Sequence, residues 1–173
     1  MNWTTVGPVT PVRTAQWVTG ALGSAGGATT ALTFSTPATT PAALTGFLTY
    51  AQGTVNGDTW TTATPGNWAI KAAVNATSAA ATTIQIYITN NGSSTTLPSI
   101  AALTPSVMVD YTGSVVPTGQ TNGLAITGGV YNLPVGSVIR AHTTVNSTAG
   151  VTITTAANCF ISFTFLGGTN NLV

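Results

Sequence analysis

Charge is what this chain lacks most. Its 173 residues hold three basic side chains, Arg13, Lys71 and Arg140, two acidic ones, Asp58 and Asp110, and no glutamate. Charged residues make up 3% of the chain, where soluble domains carry roughly 25%. A net charge of +1 with no basic run provides no footprint for phosphate neutralisation, so nucleic acid is not an expected partner. So little charge also protects a lone monomer poorly against association. Much of the surface is therefore expected to be covered by partner subunits.

Cysteine is almost missing as well. Cys159 is single and lies in the apolar run "CFISFTFL", which excludes an internal disulfide and reads as a buried structural thiol. With one histidine, His142, the chain shows no paired metal-ligand spacing. No stretch approaches 18 uninterrupted apolar residues, and "MNWTTVGPVTPVRTAQW" has no basic leader. The expectation is synthesis in the cytoplasm, with no membrane partner.

The same scarcity argues against chemistry. A Ser-His-Asp relay has only His142 with Asp58 or Asp110 to draw on, and no nucleophile elbow specifies a serine. Paired-carboxylate glycoside hydrolysis would need those two aspartates about 5 to 10 Å apart, and nothing in their context brings them together. Asp58 reads instead as a cap on the turn after Asn56-Gly57, and Asp110 as a surface group of a strand or loop. A small hydrolase is the weakest reading, and no cofactor is expected.

In place of charge stand 37 threonines, 19 glycines and nine prolines. Threonine joins strand preference to a hydroxyl that can face water, so the composition favours sheets and turns. The first thirty residues alternate short apolar pieces with Gly and Pro and end in "GSAGGATT". They read as an extended arm, residues 1–30, anchored through Trp3, Arg13 and Trp17. From Ala31 to Gly168 short apolar segments recur between turn signals such as "VNGD", "NNGS" and "LPVGS". That spacing predicts an all-β antiparallel sandwich of about eight to ten strands, with 169–173 as a short tail.

Alternation assigns the faces. In "NWAIKAAVN", Trp68, Ile70, Ala72 and Val74 point inward and Ala69, Lys71 and Ala73 outward; in "TTIQIYITN", Ile84, Ile86 and Ile88 oppose Gln85, Tyr87 and Thr89. In "SVIRAHTTV", Ile139, Ala141 and Val145 share the apolar side, and Val138, Arg140, His142 and Thr144 the other. The final strand places Cys159, Ile161, Phe163 and Phe165 opposite Phe160, Ser162, Thr164 and Leu166, so both of its sides carry bulky apolar groups and the second side needs a cover. Lys71, Tyr87, Arg140, His142, Phe160 and Leu166 are the candidate interface residues. Trp60, Trp68, Tyr87 and Tyr111 read either as packing groups or as a carbohydrate platform.

The order of motifs resembles the trimeric jelly-roll family of tumour necrosis factor and the globular heads of complement-type collagenous proteins. The resemblance spans roughly Ala31 to Gly168. "GDTWTTATPGNWAIKAAVN" carries Trp60 and then Gly66-Asn67-Trp68, with Trp68 where the family usually has Tyr. "IQIYITNNG" matches a strand ending in Asn-Gly, "YNLPVGSVIRAH" matches the family's Gly-Asp-x-Val segment with Ser137 replacing Asp, and "CFISFTFLGG" looks like the closing strand. The resemblance implies a TNF-like homotrimer and a role as receptor ligand, recognition head or virus surface knob. Together with the charge-poor composition and the glycine-rich arm, it points to a virion component, a bacteriophage capsid decoration, head-fibre or spike protein. The expected partners are then further copies of the chain, a major capsid protein or fibre or tail component, and, in the alternative, a host glycan or receptor.

Overall fold

The computed structural model describes residues 12–18, 22–24, 29–34, 37, 39–53, 57–78, 82–90, 108–116, 123–145, 151–153 and 159–168. Runs of threonine and isoleucine, whose branched Cβ atoms fit a pleated surface, extend into strands between the Gly and Pro turns. In chain order these are β1 (Arg13–Val18), β2 (Leu22–Ser24), β3 (Thr29–Ala31), β4 (Leu48–Ala51), β5 (Thr59–Thr62) and β6 (Gly66–Ser78). They continue as β7 (Thr82–Asn90), β8 (Met108–Val116), β9 (Gly123–Leu133), β10 (Val138–Val145), β11 (Val151–Ile153) and β12 (Phe160–Gly167), and one 3-10 turn lies at Ala42–Leu44.

The strands form two antiparallel sheets. The first runs β1-β12-β6-β11-β2, with β9 on the other side of β6; the second runs β4-β5-β10-β7-β8, with β3 also pairing β10. Inward faces meet in one core. Trp68, Ile70, Ala72 and Val74 of β6, Ile86 and Ile88 of β7, and Ile161, Phe163 and Phe165 of β12 are all buried there, as their alternation requires. At its centre Trp17 lies edge-on to Phe163 at 5.8 Å and to Trp60 at 5.7 Å, and Tyr50 packs 5.4 Å from Trp17. Such pairs add about 0.5–1.5 kcal/mol each beyond area burial.

The expected arm is corrected by this arrangement. Residues 13–18 are a sheet strand, paired antiparallel with β12 from Arg13↔Phe165 to Val18↔Phe160. Trp17 is fully buried, so it anchors its own core rather than a distant partner, and the sandwich begins well before Ala31. Two further pieces of the first thirty-one residues pair within the sheets, β2 with β11 and β3 with β10. Trp3 lies outside the described residues.

Turns are stitched by side chains short enough to reach backbone. Ser137, where an Asp was expected from the motif, donates its hydroxyl to the Pro134 carbonyl at 2.9 Å. Its N–H donates to Thr62 Oγ1 at 3.0 Å, and that hydroxyl donates to the Pro134 carbonyl at 2.6 Å. The "LPVGS" reversal is thereby tied to β5 without any charge.

Candidate functional site

Two faces carry the residues singled out by the sequence. The first is the side of the β1-β12-β6-β9 sheet turned away from the core. Register sets its side chains in rows: Val18, Phe160 and Ala73; Gln16, Ser162, Lys71 and Gly128; Thr14, Thr164, Ala69 and Val130. Thr14 and Thr164 share a hydroxyl hydrogen bond of 2.9 Å across one row. Lys71 is exposed, Phe160 is half-buried, and Val130 and Leu166 are 58% and 38% exposed. The alternation read from the closing strand therefore describes this face correctly, with Phe160 and Leu166 outside their own core.

A shallow groove of about 560 Å³ runs over the middle of this face, lined in part by Lys71, Gly128, Gly129, Val130, Ser162 and Thr164. Gly128 is needed there because β9 closely approaches β6: an added Cβ would strike the Ile70 carbonyl oxygen and lie 2.8 Å from the Lys71 Cα. The Lys71 ammonium stands 5.9 Å from the centre of the Phe160 ring, at the outer limit of a cation–π contact.

The second face is the outer side of the β4-β5-β10-β7-β8 sheet. His142 pairs across the ladder with Tyr87, and Arg140 with Thr89. Alternation sends these four side chains away from Ile139, Ala141, Ile86 and Ile88, which lie in the core. Yet Tyr87, Thr89 and His142 are 2%, 2% and 1% exposed and Arg140 is half-buried. The expectation of His142 and Tyr87 as surface contacts is thus corrected: both are buried within their own chain.

His142 Nε2 lies 3.2 Å from Thr89 Oγ1, and its buried Nδ1 has no hydrogen-bond partner among the described residues. Burial, reinforced by the nearby positive charge of Arg140, lowers its pKa to about 4, so the ring is neutral at ordinary pH.

Asp58 is wholly buried and braces loops. Its carboxylate accepts from the Phe34 N–H at 2.6 Å, the Tyr50 hydroxyl at 2.7 Å and the Gly53 N–H at 2.8 Å. Burial first, then the hydrogen bond and charge of Asp58, push the Tyr50 phenol above its usual range. Gly53 is tightly constrained, since a Cβ there would collide with the Gly57 carbonyl. The turn cap expected of Asp58 is a wider clamp, and no property of "VNGD" foretold Phe34 or Tyr50 as its partners.

Asp58 does not join His142 in the described hydrogen bonds: the His142 ring contacts Thr89, while Asp58 accepts from three donors of its own loops; the Asp110 side chain lies outside the described residues. No group of three or more His, Cys, Asp or Glu able to hold a metal occurs among the described residues. Cys159 is a buried free thiol whose sulfur accepts from the Asn75 N–H at 3.1 Å. The carbohydrate-platform reading loses three of its four aromatics, since Trp60 and Trp68 are fully buried and Tyr87 nearly so. Arg13 is half-buried and donates to the Ala43 carbonyl at 3.4 Å, with its guanidinium 4.8 Å from the centre of the Phe47 ring.

No protein-family pattern and no curated protein sequence matches the chain. Solved structures do. Murine APRIL at pH 5.0 aligns over 90% of this chain and all of its own with a TM-score of 0.53 and 12% identity. The pH 8.0 structure of murine APRIL gives 0.51 at 13% identity. Eiger TNF from S. frugiperda aligns over 95% of this chain and 98% of its own with a TM-score of 0.52 and 7% identity. The two antiparallel sheets and these likenesses establish a TNF-like jelly-roll fold.

Proposed function

We propose that the chain is a non-enzymatic structural protein that self-associates through the outer face of its β1-β12-β6-β9 sheet, as a homotrimeric component of a virus particle. The observation that carries this reading is that face itself. Val130 and Leu166 are left open and Phe160 half-open beside small residues and hydroxyls, with Lys71 as the one charged group in its three rows. A sheet surface with few charges can pack closely on a copy of itself, and the apolar area so covered contributes about 25 cal/mol per Å² before the cost of association. Closed symmetry is the usual outcome for soluble homo-oligomers, and three copies follow from the jelly-roll family the chain resembles. Scarcity of charge over the whole chain supports burial of surface by assembly.

Within this reading the chain decorates a capsid or forms part of a head fibre or spike, and a capsid or fibre protein is its second partner. Sedimentation equilibrium of the purified chain is expected to give three times the chain mass, and imaging of the native particle to show threefold density at attachment points. A monomer at micromolar and millimolar concentrations would remove the assembly reading. Trimeric protein absent from particles would remove the virion role alone.

A further inference from the structure

Burying the outer face of the first sheet would bury Lys71 with it. Lys71 stands on β6 between the β12 and β9 partners, level with Ser162 on one side and Gly128 on the other. Any self-association that covers this face therefore brings ammonium groups out of water. A charge so placed is costly unless something of opposite sign accompanies it. The chain has little to offer. It contains two side-chain carboxylates; Asp58 is sealed in the interior with three donors of its own, and Asp110 belongs to β8 in the opposite sheet. The Phe160 ring at 5.9 Å from the ammonium supplies a weak quadrupole attraction and leaves the positive charge in place.

The surroundings suit a small anion. The groove over Lys71 is about 560 Å³ and includes Ser162 and Thr164 in its lining. The neighbouring row adds the hydroxyl of Thr14, and the Lys71 row adds the Gln16 amide. The Ser162 hydroxyl is turned to the Lys71 carbonyl at 3.4 Å, and Thr14 and Thr164 bond each other, so the ammonium, with three donors and no carboxylate in the groove lining, is the group that would hold a halide or a small oxyanion. Resting on the self-association reading above, we propose that the groove around Lys71 is an anion site closed by a second copy of the chain. A chloride-, sulfate- or phosphate-class ion held there offsets the lysines of the assembled subunits. Assembly is thereby coupled to the anion, since a ligand that binds the assembled form alone favours it by mass action.

The test measures self-association of the full chain by sedimentation equilibrium at one ionic strength, with sodium gluconate, chloride or sulfate as the salt. Gluconate, whose single carboxylate trails a polyol chain, serves as the weakly binding reference. The wild type is expected to associate at least tenfold more tightly in chloride or sulfate than in gluconate. Lys71→Met, which removes the charge and keeps the apolar stem, is expected to associate equally in all three salts. Chloride-35 NMR line broadening is expected with wild type and lost with Lys71→Met, which reads the ion directly. Equal wild-type association in all salts, or line broadening that survives Lys71→Met, overturns the anion site while leaving self-association standing. If Lys71→Met instead falls apart in every salt, the lysine is held by a partner's carboxylate and the proposal also fails. Wild type and variant both monomeric throughout would sink the underlying assembly reading.

Discussion

His142 shows how one side chain ties stability to pH in a chain with few titratable groups. Its folded pKa of about 4 lies below the ordinary histidine value of about 6.5. Between these values the unfolded chain binds a proton that the native chain does not, so acidification favours unfolding. The contribution of His142 is fully present above about pH 6.5, declines as pH falls toward 4, and changes little below that. The full difference amounts to about 3 kcal/mol. Denaturant melts of the wild type are expected to lose that stability across this window, and His142→Gln is expected to flatten the slope. Asp58 serves the fold as a buried acceptor with fixed partners. Asp58→Asn removes a charged acceptor from the Phe34 and Gly53 N–H groups and the Tyr50 hydroxyl. The expected cost is about 3 kcal/mol, read as a lower urea midpoint with an unchanged slope.

Among the elements, β1 is the one that the sequence disguised. "RTAQWV" alternates correctly, with Ala15 and Trp17 buried and Thr14 and Gln16 exposed. It has six residues, however, and sits among Gly and Pro pieces that give no sign of a packed strand. Pairing with β12 supplies its ladder, and the aromatic cluster supplies its burial. Trp17→Ala is therefore expected to cost about 3–5 kcal/mol, whereas Gln16→Ala on the outer side should stay within about 0.5 kcal/mol. Chemical denaturation of the two variants separates a core strand from an arm. The β6–β9 ladder makes a similar demand at Gly128, where Gly128→Ala forces apart backbones already in close contact. A loss of about 1–3 kcal/mol is expected in the same measurement.

For the whole molecule, the two sheets bury one face each in a common core, and the first sheet leaves behind a nearly uncharged surface of hydroxyls with Val130 and Leu166 open among them. Assembly and folding should consequently be separable. Val130→Glu and Leu166→Glu change residues that are 58% and 38% exposed. Each is expected to weaken self-association at least tenfold by sedimentation while thermal stability measured on dilute monomer changes by less than about 0.5 kcal/mol. A matching loss of monomer stability would mean that these side chains serve the fold alone.

The sequence by itself determined the all-β class, the inward sets on β6 and β12, and the inward Ile86, Ile88, Ile139 and Ala141 of β7 and β10, because a strand's side chains alternate regardless of what lies around it; the side chains of Ile84 and Val145 lie outside the described residues. It also determined that Phe160 and Leu166 fall on the side away from their own core. Only the tertiary structure decided how deeply each side is covered. Alternation places His142 and Tyr87 opposite the core isoleucines, yet both are buried; it gives no hint that Asp58 reaches Phe34 and Tyr50. The physical reason is that periodicity is a local property of the backbone, whereas burial and hydrogen-bond partners depend on which distant segments fold over a given surface.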